Sequence, residues 1–410
     1  MITRLPRILA GLMMFALAGC AHVPTTAQQP LVILISIDGF RADYLDRGLT
    51  PNIAALAAQG VRAQAMRPSF PSVTFPNHYT LVTGLYPDHH GVVNNTMEDP
   101  ATPGKVFNTG DSHDERWWDE ATPIWITAQR QGLRAATMFW PGSDIAIHGT
   151  LPERWMPFDK SVTAEKRTDT VLAWLDLPPD QRPAFTTLYF EEVDSAGHVG
   201  GPDSDGVNKA LQHVDGAIGR LVDGLKQRGL FDRVNLIIVA DHGMEANSPQ
   251  RVIYLDDLVD PKTVHVEVSG LVTGLHAEPG HEAEVEKALL KPHDHMQCWR
   301  KADIPTRLHY GTNPRVPAIV CLAEPGWAIW THDFIASLKG GFVYGMHGYD
   351  PADPQMGALF VAEGPAFRQG MVHPVFDNVD VYLLLTHLLA IKPEPNDGKF
   401  GEVADMLRSR

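Results

Sequence analysis

Five side chains able to hold a cation each follow closely on an apolar run. Asp38 comes directly after Leu31 to Ile37 (LVILISI). Asp194 and His198 come shortly after Thr186 to Phe190 (TTLYF), beyond Glu191 and Glu192. Asp241 and His242 come directly after Leu236 to Ala240 (LIIVA). Taken singly, Asp-Gly and Asp-His-Gly are ordinary strand-ending turns. Taken together, these carboxylates and imidazoles have no basic partner among them and would repel one another, so one or more cations are the simplest stabiliser. Imidazole and carboxylate suit Zn2+. In Asp194-x-x-x-His198 a loop containing Gly197 could fold both side chains onto one ion. A hydroxyl, Thr74, sits just before Phe75-Pro76 at a candidate helix N-terminus. Free backbone N–H groups and the helix dipole favour an anion there, so Thr74 is either a cap or a nucleophile beside an anion site.

Something must bring these residues together, and the apolar runs supply it. Continuous β-branched runs are what parallel strands buried on both faces look like. In an open α/β sheet, ligands bind beyond the carboxyl ends of the strands, which would collect all five groups at one edge. Helical patterns alternate with the strands. Asn52 to Ala58 follows Thr50-Pro51, a helix begins near Pro76 and closes at Gly84, and Thr122-Pro123 opens a helix to about Arg130. Ala135 to Phe139 reads as a further strand. Asn208 to Arg228 carries apolar residues on one helical face. Ala358 to Val361 reads as a strand and Val379 to Ala390 as a closing helix. The expected fold is α/β, a largely parallel central sheet flanked by helices. From about residue 245 to 341 short Val-rich runs and prolines suggest an inserted, smaller α+β subdomain within a catalytic unit spanning 31–410.

The chain has 410 residues, 44% of them hydrophobic, which is ample for such a core. Its formal charge of −15 and lack of a basic stripe argue against nucleic-acid polymers as partners. Small phosphorylated ligands stay open, because a local metal charge can overrule the global field. Arg4 and Arg7 precede the apolar stretch Ile8 to Ala18, which is too short to span a bilayer. It ends in Leu17-Ala18-Gly19-Cys20, which resembles the lipobox of bacterial lipoproteins. The expectation is a signal peptide over 1–19, a lipid on Cys20 and a tether over 20–30. The destination would be the periplasm, with Ala21 favouring the outer membrane, and Cys20 would be the only membrane contact. With Cys20 set aside, Cys298 and Cys321 suggest a disulfide in an exported protein.

Five segments in order carry a resemblance that covers essentially the whole chain after the leader. They are ISIDGFRADYL at 35–45, TFPNHYTLVTGLYPDHHG at 74–91, EEVDSAGH at 191–198, ADHGM at 240–244 and GMHGYD at 345–350. The chain resembles the nucleotide pyrophosphatase/phosphodiesterase family of the alkaline phosphatase superfamily. The resemblance implies two Zn2+ sites. One would use Asp194, His198 and His347; the other would use Asp38, Asp241 and His242, with Thr74 Oγ1 as a further ligand. It implies that Thr74 attacks phosphorus and forms a covalent ester. Asn95 would give its amide N–H to a phosphoryl oxygen, with the Phe75 backbone N–H as second donor. A nucleobase would stack against Phe75, Tyr189 and Phe158, although Tyr189 also reads as a plain strand core residue. The implied reaction is hydrolysis of small nucleotide phosphodiesters and pyrophosphates to nucleoside 5′-monophosphates.

Other histidines read more plainly. His78 is expected to be structural, His89 and His90 to lie at the surface or behind the ligands, and His293 and His295 to form a loop without metal. An alkaline phosphomonoesterase would need further positive charge beside the nucleophile, and Arg62 and Arg67 lie outside the motif. A choline phosphodiesterase would share every metal ligand and differ in its leaving-group pocket. A sulfatase signature, Cys-x-Pro-x-Arg, is absent at Thr74-Phe-Pro-Asn-His. A binding protein that had lost catalysis would lack a ligand or the nucleophile, and none is missing.

Overall fold

A computed structural model describes residues 30–339 and 341–409. The expected signal peptide, Cys20 and nearly all of the tether lie outside the described residues. The seven residues Leu31–Ile37 form a strand that is buried along its whole length. Both of its neighbours, Phe185–Phe190 and Val234–Val239, run parallel to it and are buried throughout. Continuous apolar runs thus become strands with both faces covered.

The sheet has eight strands in the order Met371–His373, Val61–Ala63, Phe360–Glu363, Val234–Val239, Leu31–Ile37, Phe185–Phe190, Ala135–Met138 and Arg154–Trp155. Only Phe360–Glu363 runs against the rest. Its backbone pairs begin two residues later than the pattern at Ala358 suggests. Register aligns Ile37 with Phe190 and Ser36 with Val239. Asp38, Glu191 and Asp241 therefore leave the sheet at the same edge.

Helices cover both faces. Pro51–Gln59 begins with Pro at its first turn, as expected. Asp205–Gln227 starts three residues before the expected Asn208, because Ser204 caps it by accepting from the Val207 N–H. The helix Thr74–Thr83 ends at Gly84, whose φ of 69° is the left-handed geometry that glycine supplies at helix ends.

Val264–Val268, Val272–Ala277, Ile319–Ala323 and Met296–Arg300 form a separate four-stranded antiparallel sheet. Leu275, Val285, Leu289, Tyr349 and Met356 are part of its own apolar cluster. Val272, Val320 and Leu322 belong instead to the main core, so this sheet is packed onto it. Cys298 and Cys321 are opposite each other on neighbouring strands and form a disulfide. Among the described residues, no helix is long and apolar enough to cross a membrane.

Candidate active site

Three strand ends build the edge. Asp38 follows the central strand and donates its backbone N–H to Phe190 O at 2.9 Å. The next residue, Gly39, has a φ of 67°, and a Cβ there would stand 3.0 Å from the Asp194 backbone. Only glycine lets the two chains come this close. Its N–H is given to Asp241 Oδ1 at 3.2 Å. Asp194 and His198 stand not on a loop, as the spacing suggested, but on the helix Glu192–Gly200. Residues four apart share one helical face, which aims both side chains inward. Gly197 lets Met244 pack against that helix, since a Cβ would meet Met244 Cε at 2.8 Å. His347 follows the two-residue strand Gly345–Met346, paired with Glu245–Ala246.

The side chains converge in two groups. Asp194 Oδ1 lies 3.4 Å from Nε2 of both His198 and His347, and those two nitrogens are 3.2 Å apart. His242 Nε2 lies 2.9 Å from Asp241 Oδ2 and 3.4 Å from Asp38 Oδ1. The rings of His242 and His347 stack at 3.5 Å, so the two groups share a wall. His242 is close enough to Asp194 and His347 to serve either group.

The hydrogen-bonding pattern tests whether a cation fits. His198, His242 and His347 each direct Nδ1 at a backbone carbonyl: Gly345 O at 2.8 Å, Gly243 O at 2.9 Å and Ser72 O at 3.1 Å. A carbonyl only accepts, so each Nδ1 carries the proton and each Nε2 presents a lone pair to the site. Facing them are Asp38 Oδ1, Asp194 Oδ1 and Asp241 Oδ2, buried oxygens with no hydrogen bond. Lone pairs thus face lone pairs, an arrangement that a divalent cation satisfies and a proton network does not. Burial and the neighbouring Asp241 and Asp194 push the Asp38 carboxyl well above the usual range. For Asp241, burial works upward while the neighbouring His242 and His78 pull downward, and the net shift is below the usual carboxylate range.

Thr74 occupies the first position of its helix, with Oγ1 3.3 Å from His242 Nε2. It does not act as the N-cap; that position belongs to Val73. The Phe75 N–H is not free for a phosphoryl oxygen, because it donates to Asn95 Oδ1 at 2.8 Å. This orients Asn95 with its Nδ2 group outward. Among the described residues, neither Asn95 Nδ2 nor the Thr74 N–H makes a hydrogen bond.

A cavity of about 520 Å³ opens beside this hydroxyl. Asp38, Thr74, Phe75, Phe158, Tyr189 and Asp194 are among the side chains that line it. Phe158 is 46% exposed and meets the Tyr189 ring at 5.8 Å, so a large apolar face stands ready for a flat ligand. Phe75 is half-buried and packs against Phe107 and Trp118. Tyr189 does more than line the wall: its hydroxyl donates to Asp38 Oδ2 at 2.6 Å.

Two features escaped the sequence. Arg167 is buried, pairs with Glu191 and donates to Tyr189 O at 3.0 Å. Its guanidinium lies over the rings of Phe139 and Phe158, bracing the cavity wall from behind. The signal available was the acidic pair Glu191-Glu192, which needs a counter-charge that no nearby residue supplies. His90 is fully buried rather than at the surface, held by Thr80, and burial pushes its imidazole down to about 3. His78 is buried between Ser36 Oγ and Thr74 O, and its Nδ1 lies 3.4 Å from Asp241 Oδ2. His89 is exposed and pairs with Asp397. His293 bonds Ala288 O, and His295 pairs with Glu324.

The structure is an alkaline phosphatase-like α/β fold in which two carboxylate–imidazole groups and a helix-initial threonine meet at one sheet edge. The chain belongs to the family described as type I phosphodiesterase / nucleotide pyrophosphatase, which matches residues 32–350. Ectonucleotide pyrophosphatase/phosphodiesterase family member 3 of Rattus norvegicus is 40% identical over 398 residues, covering 94% of this chain and 45% of the relative. A bis(5′-adenosyl)-triphosphatase of Xenopus laevis is 39% identical over 388 residues, covering 94% of this chain and 84% of that protein. Murine ectonucleotide pyrophosphatase/phosphodiesterase 5, solved as an inactive Thr-to-Ala variant with AMP, superposes with a TM-score of 0.88. It is 38% identical and covers 93% of this chain and 100% of its own. The chain spans less than half the length of the first mammalian relatives it matches.

Proposed function

We propose that this chain hydrolyses small nucleotide phosphodiesters and pyrophosphates to nucleoside 5′-monophosphates, using Thr74 as nucleophile and two Zn2+ ions as cofactors. The observation that carries the reading is the Thr74 hydroxyl, set between a cage of bare lone pairs and an aromatic-lined cavity. Asp194, His198 and His347 would hold one ion, and Asp38, Asp241 and His242 the other, with Thr74 Oγ1 beside them. When bound, such ions supply Lewis acidity that favours the alkoxide of Thr74 and balances charge on the departing oxygen.

The chain's own residues account for the rest. Phe75, Phe158 and Tyr189 clasp the base, and stacking is sequence-tolerant because every base has a π-face. Asn95 Nδ2 and the Thr74 N–H converge on a non-bridging phosphoryl oxygen, where developing charge is stabilised most. Thr74 Oγ1 bonds to phosphorus as the alcohol or phosphate on the far side leaves. Water then displaces Thr74, regenerating the hydroxyl and releasing the monophosphate. The AMP-bound, inactive threonine variant of the murine relative supports both the nucleotide and the threonine. The export reading, with a periplasmic lipid anchor at Cys20, and the inserted subdomain at about 245–341 are part of the same proposal.

Thr74→Ala tests it. The variant should lose turnover while retaining AMP binding and metal content, read by calorimetry and elemental analysis. Turnover near the parent rate would sink the nucleophile assignment.

A further inference from the structure

Asn95 ends an irregular stretch. Residues 91–95 belong to no helix or strand, and the two-stranded ribbon of Thr96–Glu98 and Val106–Asn108 starts only after them. A donor carried by such a stretch is only as well placed as the groups that grip its backbone. Several of those groups come from the four-stranded sheet, and they hold the chain on both sides of Asn95. Ahead of it, the connection between the strands Met296–Arg300 and Ile319–Ala323 supplies residues 310–315. Tyr310 Oη donates to Val93 O at 3.2 Å, two residues before Asn95, and its buried ring meets Phe70 edge-on at 5.2 Å. Arg315 donates from Nη1 to Gly91 O at 2.9 Å and from Nε to Asp99 at 2.8 Å. Farther upstream, Asp88 Oδ1 accepts from the N–H groups of Gly311 and Asn313 at 3.0 and 2.9 Å, and Oδ2 from the Thr312 N–H at 2.8 Å. These backbone donors form a nest around one carboxylate. Beyond Asn95, Glu267 on the strand Val264–Val268 accepts the Glu98 N–H on Oε1 at 2.9 Å, with its side chain only 3% exposed.

Neither Tyr310 nor Glu267 lines the cavity beside Thr74, so any effect they have on the reaction passes through the backbone they hold. We infer that the four-stranded sheet clasps the Asn95 segment, with Tyr310 and Glu267 as positioning residues for the phosphoryl-oxygen donor. The main sheet then sets Asp38 and Asp241 at its strand ends, the second sheet sets Asn95, and the two halves meet where Asn95 Oδ1 accepts from the Phe75 N–H. This role rests on the hydrolytic reading above and gives the inserted subdomain a part in it.

A double-mutant cycle on the full, zinc-loaded chain tests the clasp, with the p-nitrophenyl ester of thymidine 5′-monophosphate as substrate. Tyr310→Phe keeps the ring and removes one hydrogen bond. It should lower kcat about tenfold, less than loss of the donor itself, with KM and zinc content unchanged. In an Asn95→Ala background the same substitution should change kcat by less than about twofold, because no donor is left to misplace. Glu267→Ala should follow the same pattern. Glu267→Gln, whose amide oxygen can still accept the Glu98 N–H, should restore the rate. An unchanged kcat in Tyr310→Phe, or an equal loss in both backgrounds, overturns the clasp. Parent protein that leaves the diester intact overturns the hydrolytic reading itself, and the clasp with it.

Discussion

Asn95 Oδ1 accepts from the Phe75 N–H, and in the proposed reaction its nitrogen would be the donor to a phosphoryl oxygen. Asn95→Ala should lower kcat about 10²- to 10³-fold with metal content unchanged, as removal of a single preorganised donor does in comparable sites. Zinc loss in that variant, by elemental analysis, would assign Asn95 to the cage instead. Tyr189 likewise has two duties, a ring for the cavity and a hydroxyl for Asp38. Tyr189→Phe keeps the ring and should weaken zinc affinity about tenfold, the lower end for loss of a partner that orients a ligand. Competition with a chromogenic chelator reads this directly, and an unchanged affinity would reduce Tyr189 to a wall. At this scale Asp38, Thr74, Asp241 and His242 stood out because each follows a strand or opens a helix. The hydroxyl contact of Tyr189 was not legible, since nothing in a strand's own sequence tells which neighbour its outermost side chain meets.

Arg167 belongs to the scale of elements, because it ties the helix Ala164–Leu175 to the end of the strand Phe185–Phe190. Breaking a buried pair on one side strands the other charge. Arg167→Met should therefore cost about 3–5 kcal/mol of stability, measured by denaturant unfolding. Arg167→Met/Glu191→Met together should cost less than that. A double variant as unstable as the single one would mean that packing, not charge, holds the wall. The central strands and five of the helices were readable from apolar runs, proline starts and glycine stops, whereas the short strands Val61–Ala63, Arg154–Trp155 and Met371–His373 and the helix Ala164–Leu175 were not. The helix bearing Asp194 and His198 was not, because its two glycines and its short polar span read as a loop. What makes it helical is tertiary: Val193 is buried in the main core and Met244 seats against Gly197. Which of its two expected places His90 takes was not readable either, since a turn histidine gives no hint that Thr80 and Tyr79 enclose it.

Across the whole molecule the net charge is negative, at −15, which works against phosphate-rich polymers. Under the proposed function, cations held in the cage would offset that charge for small nucleotides. The four-stranded sheet carries the disulfide and packs onto the main core, and the main sheet supplies the strand ends that bear Asp38 and Asp241. The most direct measurement of the central claim is a comparison of kcat/KM on zinc-loaded protein lacking residues 1–20. The substrates are the p-nitrophenyl ester of thymidine 5′-monophosphate, p-nitrophenyl phosphate and p-nitrophenylphosphocholine. A preference for the nucleotide diester by a factor of 100 or so, about 3 kcal/mol of discrimination, is the expected result. A preference for the monoester or the choline ester would contradict a nucleotide-binding role for Phe75, Phe158 and Tyr189.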